Sequence, residues 1–313
     1  MALSQVEKLE DLTFGQWAAL ASKLGGVEAV KAVLQGEREI ITREAPRVLF
    51  DRHGRRIPPR EIRGRVCDAD PAYRLIRPEF KETEYSCILE RYSRLMVLDQ
   101  SFDHLLSARV FRDEVDRLLA RIRDNDRIAG ILSGFWLPVI LPRIEDYNYR
   151  GAFQKYVAAA CRSYEDMFPD RRFSLRRLSL RRVSFVKGGG CYGDLMIRMS
   201  QGAVVGIYFP TALQGFSIGA SREQMSTLPG GFVLSGLDAV IAMVMYPDIL
   251  TVDSSVPDLN LAVLCLGSGE SGDSRSLIFR VNEKEMSLGL AGKFDFPNSR
   301  ESSGLLFIGG DEE

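Results

Sequence analysis

The sequence predicts an α/β protein: a C-terminal parallel or mixed sheet with crossover helices, preceded by a helical region and a small N-terminal α+β module. Three observations predict it. Four short apolar runs, 183–186, 204–209, 232–234 and 261–266, lack the polar alternation of a one-faced strand and read as centre strands of a parallel sheet. Between them, 191–200, 221–228 and 237–245 are long enough to be crossover helices. Upstream of 171 the apolar residues recur at helical spacing instead. With 313 residues the chain is long for one core, and these shifts suggest three regions, 1–66, 67–170 and 171–313.

Taken in order, Trp17, Leu20, Ala21 and Leu24 follow helical spacing behind a Thr13 cap. Gly25 and Gly26 stop that helix, and Val27, Val30, Val33 and Leu34 form a second one that ends at Gly36. Segments 37–42 and 47–50 read as strands, 51–54 as a turn, and Pro58-Pro59 as an extended stop. Seven arginines against two acids between 47 and 65 make this region basic. Two helices followed by a basic hairpin match the outline of a winged DNA reader, with Arg52, Arg55 and Arg56 placed to meet phosphate. The second helix is poor for base readout, because it offers one Lys and one Gln and carries Glu28 in its first turn.

In the middle region Ser101 is a candidate cap for a helix whose stripe runs Leu105, Leu106, Val110, Val115, Leu118, Leu119 and Ile122. A second helix over 150–167 buries Phe153, Tyr156, Val157, Ala160 and Tyr164 and stops before Pro169. His104 has no neighbouring His or Cys and reads as a polar surface residue. The apolar stretch 128–141 is broken by Ser133 and Pro138 and is shorter than the ~20 residues of a spanning helix, so it reads as core.

Arginine pairs then recur at Arg171-Arg172, Arg176-Arg177 and Arg181-Arg182 with no acid among them. Such a segment suits an edge strand offering guanidinium forks to phosphate or carboxylate. The competing reading pairs these arginines with the acidic end of the same chain, where 251–313 holds eleven acids against five bases. Beyond the first sheet strand, Lys187, Gly188, Gly189, Gly190 and Cys191 form a glycine turn feeding a helix. Backbone N–H groups there would face an anion, and a Cys191 thiolate would be stabilised at the positive helix end. The turn lacks the Lys-Ser/Thr of a P-loop and the Cys-to-Arg spacing of a phosphatase loop. A second glycine motif at 267–272 fits G-x-G-x-x-G but leads into the strand-like 276–281, so it reads as a hairpin loop; 286–290 and 305–308 add strands. Asp238, Asp248, Asp253 and Asp258 fall near strand ends or in loops without an evident acid–base pair.

Composition adds limits. A net charge of −1 gives no global pull toward nucleic acid or an anionic membrane. Five scattered cysteines without a C-x2-C pair argue against a disulfide framework and a zinc site, and with no signal-peptide pattern at the N-terminus the expected location is cytoplasmic. No metal and no cofactor is required by the residues.

Segments 23–37, 205–217 and 243–248, with the motifs KLGGVE, GIYFPTALQGFS and MVMYPD, resemble a group of uncharacterised bacterial proteins. The resemblance implies a bacterial cytoplasmic origin and brings no activity with it. The expected function is a non-catalytic binding or interaction protein with an anion or nucleotide pocket formed by 187–191 and the loops after Phe209 and Leu234. Its partner would be another protein or a phosphate-bearing small molecule. A nucleic-acid-associated protein using Arg52, Arg55, Arg56, Arg176, Arg177, Arg181 and Arg182, or an enzyme dependent on Cys191, are the alternatives.

Overall fold

The computed structural model describes residues 13–38, 48–70, 72, 75, 78, 80–96, 107–144, 149–176, 178–186, 192–266 and 275–310. The chain divides into two compact units, Met1–Pro46 and Arg47–Glu313. In the first, α1 (Phe14–Lys23) and α2 (Val27–Leu34) form the expected helical hairpin. Gly25 and Gly26 make the turn at φ of 99° and 91°, backbone that a side chain would strain. Ala29 is buried, while Phe14, Trp17, Leu20, Val27 and Leu34 are exposed. Most of the strand expected at 37–42 lies outside the described residues, and that at 47–50 is reduced to one bridge, Phe50 to Arg56.

Residues 48–66 belong to the second unit, because Leu49, Phe50 and Ile62 bury their side chains in its core. Leu49 N–H donates to Arg127 at 2.8 Å, and Arg56 N–H to Ala212 at 2.8 Å. The middle helices are part of the same body. Here α3 (Glu82–Met96), α4 (Ala108–Arg123), α5 (Tyr149–Met167) and α8 (Leu237–Met245) pack together and against the sheet, so 67–170 shares one core with 171–313. Helix α3 was not anticipated, although Tyr85, Ile88 and Tyr92 recur at helical spacing and are buried. The cap of α4 is Ser107, whose hydroxyl accepts from Val110 N–H at 3.2 Å; Ser101 and His104 lie outside the described residues. Val110 is 45% exposed and Phe111 takes the buried place in the stripe. Helix α5 buries all five of its expected residues.

The described residues hold nine strands, β1 (Leu137–Leu141), β2 (Arg172–Leu175), β3 (Val183–Phe185), β4 (Val204–Gln214), β5 (Phe232–Leu234), β6 (Asp258–Leu266), β7 (Ser276–Val281), β8 (Glu285–Leu290) and β9 (Glu301–Phe307). They form one mixed sheet in the order β1-β4-β9-β6-β7-β8-β2, with β3 beside β6 and β5 beside β9. All four predicted runs are strands, but they do not lie together as parallel neighbours. β3 pairs antiparallel with β6, β4 and β5 both pair antiparallel with β9, and only β6–β9 and β2–β8 are parallel. The reason is that an uninterrupted apolar run reports burial of both faces, not strand direction. Successive side chains point to opposite faces, and all of Leu259–Cys265 in β6 is buried.

β4 continues past Phe209 to Gln214, so the loop expected after Phe209 is strand. Its register shifts between Phe209 and Leu213 around Pro210, which has no N–H to give the ladder. Helix α7 (Ile218–Glu223), capped by Ser217 at 3.1 Å to Ala220 N–H, and a following single-turn segment replace the helix expected over 221–228. Helix α8 is apolar at every position but Asp238 and buried at all nine. Arg91 closes its far end by donating to Met245 carbonyl at 3.0 Å and to Asp248 at 2.6 Å. α6 (Tyr192–Gln201) and α9 (Pro247–Leu250) complete the set. Among the described residues no helix is long and apolar enough to cross a membrane.

Arg56 ties the 48–66 segment to this body. Its guanidinium donates to Gln224 Oε1 at 3.1 Å, Leu49 carbonyl at 3.0 Å, Ile57 carbonyl at 2.5 Å and Thr227 Oγ1 at 2.9 Å, and the residue is 6% exposed. Replacing it strands the buried acceptors on Gln224 and Leu49. We expect Arg56→Leu to lower unfolding free energy by roughly 2–4 kcal/mol. Arg52→Leu on the exposed turn should stay within about 0.5 kcal/mol, both measured by urea denaturation.

Candidate functional site

Parallel strands β6 and β9 pair only through Asp258–Asn260 against Glu301–Ser303, and then diverge. β5 follows β9 and β3 follows β6 into the opening. Ser235, the residue after β5, bridges the split: its N–H donates to Gly304 carbonyl at 3.0 Å and its carbonyl accepts from Val263 N–H at 3.2 Å. The chain then turns at Gly236 into α8. Gly236 leaves no room for a Cβ, which would strike Val263 and sit 3.4 Å from Tyr192 Oη.

Four polar side chains from four elements meet behind this turn: Tyr192 of α6, Tyr208 of β4, Ser235, and Asp238 of α8. All are buried, and Tyr192 Oη, Tyr208 Oη, Ser235 Oγ and Asp238 Oδ2 make no well-formed hydrogen bond. Asp238 Oδ1 accepts from Gly236 N–H at 2.5 Å. Tyr208 lies so close to β9 that a Cβ on Gly304 would come within 2.5 Å of its ring. Burial pushes the Asp238 carboxyl up to about 7, against the opposing pull of the Gly236 N–H and nearby Ser235 hydroxyl. Burial likewise raises both tyrosines, and the Asp238 charge adds to it.

At the other end of β5 the structure opens into a cleft of about 630 Å³ between α4, α6 and the turns that flank β5 and β9. Arg121 and Arg198 line it, each anchored by the β9 tail: Arg121 donates to Gly310 carbonyl at 2.6 Å and Arg198 to Ile308 carbonyl at 3.0 Å. Two glycine pairs, Gly230-Gly231 and Gly309-Gly310, line it beside them. Gly231 and Gly309 hold φ of 89° and 71°, and a Cβ on Gly231 would lie 2.7 Å from Gly310 N, so both turns depend on glycine. None of the four glycine amides donates to another described residue. Guanidiniums and unused backbone N–H groups on one concave wall are the elements of an anion site. Asp194 is the one carboxylate on that lining.

Lys187, Gly188, Gly189, Gly190 and Cys191, and the 267–272 motif, lie outside the described residues. The loop after Leu234 is the Ser235–Gly236 turn, closed over the buried cluster. Arg52, Arg55 and Arg56 sit beside β4, whereas Arg176 follows β2 at the far end of the sheet, so the two arginine segments do not share one face of strands. Arg56 is committed to internal acceptors, Arg55 faces Asp51 at 3.6 Å and Arg176 pairs with Glu285 of the acidic C-terminal region. Arg181 and Arg182 are exposed, and Arg177 lies outside the described residues. Asp258 is held near Arg280 at 3.4 Å, and burial raises it to about 6. The described cysteines, Cys67, Cys87, Cys161 and Cys265, are unpaired, and no group of three His, Cys, Asp or Glu side chains among the described residues converges as a metal would require.

Sequence reasoning missed Arg121, Arg198 and both glycine pairs. The Gly-Gly doublets are visible in the sequence, but 79 positions separate Gly230 from Gly309 and only the sheet brings them together. The chain matches no family model, and comparison with curated proteins and with solved structures returns no similar protein.

The Asp238 carboxyl sets a pH dependence. Its folded value of about 7 exceeds the ordinary 3.8, so the folded state holds a proton that the unfolded state releases, and stability falls as pH rises from about 4 to about 7. The span is on the order of 4 kcal/mol. In Asp238→Asn that fall should disappear from the pH profile of urea unfolding, leaving only the slope of other groups.

Proposed function

We propose that this protein is a cytoplasmic, non-catalytic binding protein for a small phosphate-bearing molecule, held in the cleft between Arg121, Arg198 and the two glycine turns. The carrying observation is that two anchored arginines and two glycine turns, whose amides donate to no other described residue, line one concavity of about 630 Å³. That volume is in the range of small-molecule sites. The bonds to Gly310 and Ile308 fix the orientation of both forks before a ligand arrives, which reduces the ordering cost of binding. Binding is favoured over turnover because the described lining offers donors and one carboxylate, with no Cys, His, Ser, Thr, Tyr or Lys side chain to act as nucleophile or proton shuttle. The four described cysteines are unpaired, which supports a reducing compartment.

The test is a thermal-shift and calorimetry series with phosphate, pyrophosphate and nucleoside mono- and triphosphates. A ligand at 100 times its Kd should stabilise the fold by about 2.7 kcal/mol. The double variant Arg121→Gln, Arg198→Gln should weaken that ligand at least about tenfold, a loss of roughly 1.4 kcal/mol or more. Equal affinity in the double variant, or no shift with any phosphate compound, would remove the cleft from consideration.

A further inference from the structure

A second concavity, of about 610 Å³, lies along the segment that enters the second unit, and its chemistry differs from that of the cleft. Its described lining carries four arginines, Arg56, Arg60, Arg63 and Arg127, against one acid, Glu61. Arg56 is consumed by the internal acceptors described above. Arg60, Arg63 and Arg127 are exposed and their guanidiniums have no hydrogen-bond or ion-pair partner among the described residues. This sets them apart from Arg65 a few positions on, which pairs with both Glu223 and Asp295. Like charges gathered in one groove repel one another unless an anion fills it.

The floor between these charges is apolar. Val48 is 48% and Ile57 39% exposed, and Pro58 and Pro59 continue the strip in an extended conformation, with Pro59 at φ −52° and ψ 150°. A free inorganic anion would satisfy the arginines and leave this strip uncovered. A nucleic-acid strand would supply the charge, but such strands are held by stacking bases on aromatic rings, and among the described residues no aromatic side chain lines the groove. Carboxylates fit guanidinium forks two bonds at a time, and an extended peptide places alternate side chains on opposite sides. We infer that this groove docks an extended acidic peptide segment of a partner protein, its carboxylates on Arg60, Arg63 and Arg127 and its apolar side chains on Val48, Ile57 and the two prolines. The inference stands apart from the cleft and uses none of its residues.

The test measures fluorescence anisotropy of a short labelled peptide alternating glutamate with leucine or valine, titrated with the full chain at low and physiological salt. Its counterpart with glutamine for glutamate and a labelled oligothymidine serve as the comparison probes. The acidic peptide should bind, its affinity should fall as salt rises, and the glutamine peptide should bind at least about tenfold more weakly. Single variants Arg60→Gln, Arg63→Gln and Arg127→Gln should each weaken the peptide, and their combination by tenfold or more. Arg52→Gln, on the exposed turn outside the groove, should leave the affinity unchanged. Equal binding of the two peptides, or full affinity in the combined variant, overturns the inference. So does tighter binding of the oligothymidine through the same arginines, which would make the groove a nucleic-acid site. The two-peptide comparison needs only the native chain, so it holds even if the combined variant fails to fold.

Discussion

The arrangement turns on the place where β6 and β9 part. Two parallel strands that pair for three residues and then diverge leave unpaired backbone inside the protein, where each orphaned N–H or carbonyl costs stability. β3 and β5 close that opening, one along each strand, and Ser235 hydrogen-bonds to both sides. The positions of α6 and α8 follow, since α8 begins one residue after the Ser235–Gly236 turn and Tyr192 at the start of α6 packs against that turn. The same three-residue strand also places Gly230-Gly231 at its other end. One short element therefore fixes both the buried cluster around Asp238 and one wall of the anion cleft.

Polar burial in this core comes at a cost. Tyr192, Tyr208, Ser235 and Asp238 sit together behind the split with incomplete hydrogen bonding, and Asn260 of β6, Ser303 of β9 and Ser221 of α7 also bury a side-chain oxygen that makes no well-formed hydrogen bond. A carboxyl in that setting favours its proton. Around it the packing is tight enough that Gly236 and Gly304 admit no side-chain carbon without a clash.

The bias toward arginine has a structural use. Arg56, Arg91, Arg121 and Arg198 each donate to a main-chain carbonyl at an element end or in a loop, and Arg222 donates to Ala262 carbonyl inside β6. A guanidinium can hold a carbonyl with one N–H and keep others for a second partner, which an ammonium on a flexible stem does less well. This separates the arginines by role. Arg56 is structural, Arg121 and Arg198 are anchored and line a cleft, and Arg60, Arg63 and Arg127 line a groove with no partner among the described residues. Charge counts along the sequence cannot make that distinction, because all six read alike.

Local chemistry was legible in the residues. The glycine turn between α1 and α2, the buried face of α5, the helix over 237–245 and the strand character of 183–185, 204–209, 232–234 and 261–266 follow from spacing and side-chain type alone. Strand direction was not, because double-sided burial looks the same in parallel and antiparallel pairs. The cleft was illegible for a related reason: Arg121, Arg198, Gly230 and Gly309 carry no shared local pattern, and their meeting depends on β9 returning between β4 and β6. By itself, then, the sequence determined that the protein is α/β and where most of its helices and strands lie, since those depend on short-range periodicity, although α3 and β1 were not read from it. Only the tertiary structure decided which arginines are buried, anchored or free, because that depends on contacts between residues far apart in the chain.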